Sequence, residues 1–193
     1  MGRTVPRKSH QDRLACGLHR FAPRLASVGG RGPQCLIEYP FFGAAPGASI
    51  IPYRITDSVI IDHVPDLLAE AITDAVNKGA EVISISLGAL RPDKRVAKAV
   101  QHAYQQGVIV CAAAGQVFRE VIYPGRFNCV ITVGSATTMD GRSFHPWRVV
   151  ARGPDVDICG PADQIRRPTT VMSGGGTKFL ISGPGDGTSF APV

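Results

Sequence analysis

The chain has 193 residues, 44% hydrophobic and 19% charged, a balance that fits one globular domain and excludes wholesale disorder. Its formal charge of +6 resides in residues 1–31, where seven Lys/Arg meet only Asp12, while fourteen bases and fourteen acids cancel over the rest. The longest apolar run, Gly107–Gly115, falls short of a membrane helix, and five cysteines (16, 35, 111, 129, 159) without a C-x-x-C pair form neither a disulfide framework nor a zinc site.

Residues 1–41 mix Arg, Pro, Gly and Cys without a period of 2 or 3.6, and are expected to form a basic, irregular, poorly ordered segment. A nucleic-acid surface needs basic residues spread over a face with stacking aromatics, so no nucleic-acid partner is expected. Met1 to Ala26 has no apolar h-region, so a signal peptide is not expected either. No membrane partner is expected, and the compartment is left open.

The pattern becomes regular near residue 42. Ser49 to Ile55 reads as a short strand, with Pro52 marking an edge or an irregularity. Apolar residues at 64, 67, 68, 71, 72, 75 and 76 trace one helix face, with Pro65 in its first turn and Gly79 just past its end. Val82 to Ser86 is a β-branched strand. A second helix opens at Pro92-Asp93, carries Val96, Ala97, Val100, Ala103 and Tyr104 on one face, and closes at Gly107. Val108 to Ala113 and Cys129 to Val133 add two strands. Strand, helix, strand, helix, strand predicts a parallel sheet with covering helices: strands 50–55, 82–86 and 108–113 adjacent, helices at about 64–78 and 92–106. Asp140-Gly141, Gly153-Pro154, Gly160-Pro161 and Gly174-Gly175-Gly176 then punctuate short strands and loops.

In open α/β sheets the site lies at the carboxyl ends of the strands. Ser86-Leu87-Gly88 follows one strand and Ala114-Gly115-Gln116 another, but either alone reads as a turn. Ser189, after Gly187-Thr188, could be a helix N-cap or a nucleophile. Gly174-Gly175-Gly176-Thr177-Lys178 lacks the P-loop order and reads as a hairpin loop before Phe179. Asp155 and Asp157 at i, i+2 are weak evidence for calcium or acid–base work, and no H-E-x-x-H is present.

Taken together the runs resemble the subtilisin-like serine peptidases, or subtilases. Gly187-Thr188-Ser189-Phe190-Ala191-Pro192 resembles the family's nucleophile motif, Ser84 to Gly88 its substrate-binding strand, and Ala112 to Gln116 its A-A-[AG]-N oxyanion segment. Gly43-Ala44-Ala45-Pro46-Gly47-Ala48, Tyr123-Pro124-Gly125 and Val156 to Pro161 resemble three further segments in the same order. The resemblance covers 42–193 and implies a three-layer α/β fold with a parallel sheet between helices, truncated at both ends. It implies a serine-type endopeptidase acting on a protein or peptide: Ser189 as nucleophile, Gln116 at the oxyanion position, and Ser86, Leu87, Gly88, Ala114 and Gly115 binding substrate. No cofactor or metal is implied.

The departures bear on activity. The family's Asp and His precede its serine, in D-[ST]-G and H-G-T motifs ahead of the Gly43 segment. Residues 1–42 hold neither motif, only Asp12, Glu38, His10 and His19. Asp57 and Asp62-His63 fall where the family has no triad member and read as a loop and a helix start. Gln116 stands in place of Asn, which moves the amide by about 1–1.5 Å. With few residues after Ser189, a full nucleophile helix is not expected. The alternative is a catalytically inactive remnant that at most binds extended peptides.

Overall fold

The computed structural model describes residues 48–138, 144–173 and 176–192, so the basic segment, the Gly43–Gly47 run and the Asp140-Gly141 turn lie outside the described residues. Helix α1 spans Pro65–Asn77 and α2 Lys94–Gln105, within a residue or two of their expected bounds. Proline at N1 opens α1, whereas the Asp93 carboxylate caps α2 by accepting the Arg95 N–H at 2.8 Å and the Val96 N–H at 3.4 Å. Both helices close alike. Gly79 and Gly107 take φ of +77° and +76°, and the next residue's N–H reaches back to a last-turn carbonyl: Ala80 to Ala75 at 3.0 Å, Val108 to Ala103 at 2.9 Å.

Strands β1 (Val82–Ile85), β2 (Ile109–Ala113) and β3 (Val130–Thr138) pair parallel in that order. On β3, β4 (Phe144–Pro146) pairs antiparallel and β5 (Ile158–Pro161) parallel. A separate antiparallel pair, β6 (Ile165–Ser173) and β7 (Gly176–Gly185), brings Ser173 opposite Gly176, while Gly174 and Gly175 of the expected hairpin loop lie outside the described residues. Ile72 of α1, Val96, Val100 and Ala103 of α2, Ile85 of β1 and Val110 of β2 share one buried cluster, which fixes both helices on one face of the sheet. Period-2 alternation sends Ser84 and Ser86 to the other face, where their hydroxyls donate to the Pro192 carbonyl at 3.3 Å and the Ser189 carbonyl at 3.0 Å.

One expectation fails. Ser49 makes a single β-bridge, but residues 50–55 form no strand and do not pair with β1; among the described residues β1 pairs only with β2. Instead Ser49–Thr56, the inner face of α1 and β1 line a common groove of about 640 Å³. Proline at 52 removes one ladder donor, and the Tyr53 hydroxyl is held by Asp74 of α1 at 2.6 Å, away from any ladder.

Candidate active site

The carboxyl ends of β1 and β2 meet the chain's last described turn. Gly187 leads into a single 3-10 turn, Thr188–Phe190, that carries Ser189. The Gly187 N–H donates to Ala162 at 2.8 Å, and Gly160 lets the Ala191 backbone close against β5, where any Cβ would stand 2.6 Å from the Ala191 oxygen. With the Ser86 hydroxyl on its carbonyl, Ser189 is held from two strands. Its own Oγ donates to the Ser86 carbonyl at 3.5 Å, a long and weak bond.

Gln116 reaches this turn from the end of β2. Its Oε1 accepts the Thr188 N–H at 2.7 Å and the Thr188 hydroxyl at 3.3 Å. A backbone N–H can only donate, so Oε1 must face Thr188 and Nε2 becomes the far end of the amide. The Thr188 side chain behind this contact is 3% exposed, which keeps the bond out of water.

Between these groups lies a cavity of about 100 Å³ lined by Ser86, Leu87, Gly88, Gly115, Gln116 and Ser189, together with Val59, Ile60, Val117, Phe118 and Ile122. That volume is the share of about three water molecules at ~30 Å³ each. Six of the seven residues singled out from sequence are thus brought together. Ala114 is not on the wall: it is fully buried behind it, its N–H on Val133 and its carbonyl on Ile122. No described histidine lines the cavity.

Three contributors escaped the sequence reading. Ile122 packs into the space vacated by two glycines: a Cβ on Gly88 would fall 2.0 Å from its Cδ1, and one on Gly115 3.1 Å. Its place just before Tyr123-Pro124 was the available signal. Residues 59–61 hold the backbone of Gly88 on both sides, Gly88 N–H to Val59 at 2.9 Å and Ile61 N–H to Gly88 at 2.9 Å. Asp62 is not a helix cap but a clamp, accepting the N–H groups of Leu90 and Arg91 at 3.1 Å each and so fixing the loop after Gly88. Asp157, one of the two acids at i, i+2, accepts the Thr132 N–H at 2.8 Å, and Asp155 faces Arg126 at 3.7 Å. Both are anchored within the protein rather than converging on an ion; the described residues contain no cluster of three His, Cys, Asp or Glu.

A parallel α/β sheet with a serine and a carboxamide meeting at its carboxyl edge defines a class of α/β proteins with a strand-end serine site. Within that class the assignment is definite: the sequence profile of the subtilase family, peptidase S8, matches residues 24–191, and the chain belongs to that family. The match begins ahead of the boundary read near residue 42. Thermitase of Thermoactinomyces vulgaris is 33% identical over 124 residues, 64% of this chain and 43% of thermitase. The major intracellular serine protease of Bacillus subtilis (strain 168) is 31% identical over 129 residues, 64% of this chain and 39% of that protease. Among solved structures, the prenylagaramide maturation protease PagA superposes with a TM-score of 0.60 at 29% identity, covering 81% of this chain and 55% of PagA. The chain therefore spans about half, or less, of the length of these relatives.

Proposed function

We propose that the chain carries the nucleophile side of a serine-type endopeptidase, hydrolysing peptide bonds of a protein or peptide substrate. Ser189 Oγ attacks the scissile carbonyl carbon, and Gln116 Nε2 faces the oxygen on which negative charge develops. The cavity beside Gly88 and Gly115 receives a substrate side chain, its size limited by Ile122. Ser86 and Leu87 offer main chain to an extended peptide, while at Gly88 a peptide competes with residues 59–61. The observation that supports this reading is the 2.7 Å bond from Thr188 N–H to Gln116 Oε1, which joins two family segments beside one cavity. By composition the basic residues 1–23 lie outside the catalytic core, whereas the family profile already takes in 24–41.

A second reading has its own support. Attack requires a base to take the hydroxyl proton, and the Ser189 hydroxyl points to a carbonyl that cannot accept it permanently. Removing the histidine of a subtilisin costs on the order of 2 × 10⁶ in kcat, a figure measured on that enzyme. On this reading the described machinery binds extended peptides without cleaving them.

A fluorophosphonate probe and a casein assay on the full chain, beside Ser189→Ala, separate the two. Labelling and cleavage no higher than the Ser189→Ala background are what the peptide-binding reading expects. Labelling that needs Ser189 shows that a base reaches the site and establishes the endopeptidase. Labelling or cleavage that persists in Ser189→Ala removes Ser189 as the nucleophile.

A further inference from the structure

The chain itself occupies part of the edge that an extended peptide would use. In a parallel strand, alternate residues direct both their N–H and C=O to opposite edges. The Ile109 N–H donates to Glu81 at 3.0 Å, so Glu81, Ile83 and Ile85 face β2, while Ser84, Ser86 and Gly88 face away from it. The Ser189 Oγ donates to the Ser86 carbonyl, which places the serine at this second edge. At Gly88 both backbone groups are engaged. Its N–H donates to the Val59 carbonyl and its carbonyl accepts the Ile61 N–H, each at 2.9 Å.

Residues 58–62 make this contact as a strap. Its first half is lightly held: Val59 is 64% exposed, and the Ser58 hydroxyl bonds within the strap, accepting the Ile60 N–H at 3.2 Å and donating to the Ile60 carbonyl at 3.0 Å. Its second half is pinned, Ile61 by burial in the core and Asp62 by the N–H groups of Leu90 and Arg91. Val59 and Ile60 also line the cavity beside Ser189. One short segment therefore covers both the edge and the cavity. Paired strands lie ~4.8 Å apart, so a peptide and the strap cannot both sit against Gly88. Among the described residues the strap pairs there through a single bridge, and a peptide that takes over the two Gly88 bonds replaces that pairing in full.

We propose that residues 58–62 are an autoinhibitory strap, displaced when an extended peptide pairs with Gly88, and that Asp62 sets how firmly the strap closes. The inference rests on the reading that a peptide docks at Ser86 to Gly88, and holds whether that peptide is cleaved or only bound. A site that is open for a fraction of the time binds with its intrinsic affinity reduced by that fraction. Amide exchange at Gly88 and Ile61 rises with the same fraction. The two quantities must change together.

The probe is acetyl-Thr-Ala-Thr-Ala-Thr-Ala-amide, whose alternate small side chains suit the cavity of about 100 Å³. It is titrated into the full chain carrying Ser189→Ala, so that nothing is cleaved, and amide exchange is followed residue by residue in the free protein. Asp62→Ala should speed exchange at Gly88 and Ile61 and tighten peptide binding by the same factor, about tenfold for bonds to a charged acceptor, with an unchanged circular dichroism spectrum. Val59→Gly, which gives the exposed half more backbone freedom, should move both by about threefold. Asp62→Asn keeps an acceptor oxygen and should stay close to the parent, and Asp93→Ala, a cap lost on α2, should change neither quantity. Faster exchange without tighter binding would overturn the strap, as would exchange unchanged in both Asp62→Ala and Val59→Gly. A peptide bound by neither the parent nor the loosened chains would remove the peptide-binding reading itself, and the strap's role with it.

Discussion

Gly88 shows how closely single atoms decide this site. Its hydrogen leaves room for the Ile122 side chain, and the Tyr123 carbonyl stands 3.2 Å from where a Cβ would lie. Gly88→Ala must therefore push Ile122 out of the cavity wall, an overpacking that costs about 1–3 kcal/mol. Shortening the intruding partner relieves it. In an Ile122→Ala background the same Gly88→Ala change should cost at least about 1 kcal/mol less, the coupling expected of residues in contact. Urea unfolding of the four chains measures the cycle; additive costs would mean that Gly88 is constrained by its 59–61 pairing and not by Ile122. Gln116 makes the complementary point. Sequence identified the residue, but only the Thr188 N–H determines which end of its amide is turned towards the cavity.

Among the elements, α2 depends most on one side chain at its start. Asp93 is held below the usual carboxylate range, first by its bond to the Arg95 guanidinium and further by the two backbone N–H groups it caps, against an opposing penalty from burial. A depressed native pKa means that Asp93 stabilises the fold above its unfolded value of about 3.9, and that this stabilisation is lost as pH falls through the native value. Asp93→Ala should cost about 1 kcal/mol at pH 7, or roughly 2–4 °C in Tm for a chain of this size. The gap between the two proteins should narrow below pH 4. A gap that stays constant from pH 7 to pH 3 would show that the carboxylate charge contributes nothing to the cap.

At the scale of the whole molecule, the pairing pattern divides the chain into strongly and weakly supported parts. Strand β2 is flanked by β1 and β3 and packs under α2, with Val110 and Ala112 almost fully buried. Among the described residues the β6–β7 hairpin pairs only with itself, and a two-stranded sheet is marginal without a third strand or a helix against it. Amide exchange should therefore be slowest in 109–113 and 130–133, with opening energies near the global value, and faster by several orders of magnitude in 165–185. Equal protection in the hairpin and β2 would mean that the hairpin docks on the sheet and unfolds with it.

What the sequence determined by itself is local. Apolar residues at 3.6 spacing, Pro65 and Asp93 at the starts and Gly79 and Gly107 at the ends specify both helices, because caps and amphipathic faces act within a turn or two of chain. The β-branched runs at 82–86 and 108–113 likewise specify two strands, and the ordered segments at 84–88, 112–116 and 187–192 pointed to the family and to the residues around the cavity. Tertiary structure decided everything that rests on a distant partner. Residues 49–55 have strand-like composition, yet a strand exists only where another strand accepts its hydrogen bonds, and β1 leaves a groove there instead. Asp62 became a clamp on a loop 28 residues away, and Gln116 found Thr188 across 72 residues. Backbone pairing and side-chain capping between remote segments depend on which chains arrive alongside, and no local pattern encodes that.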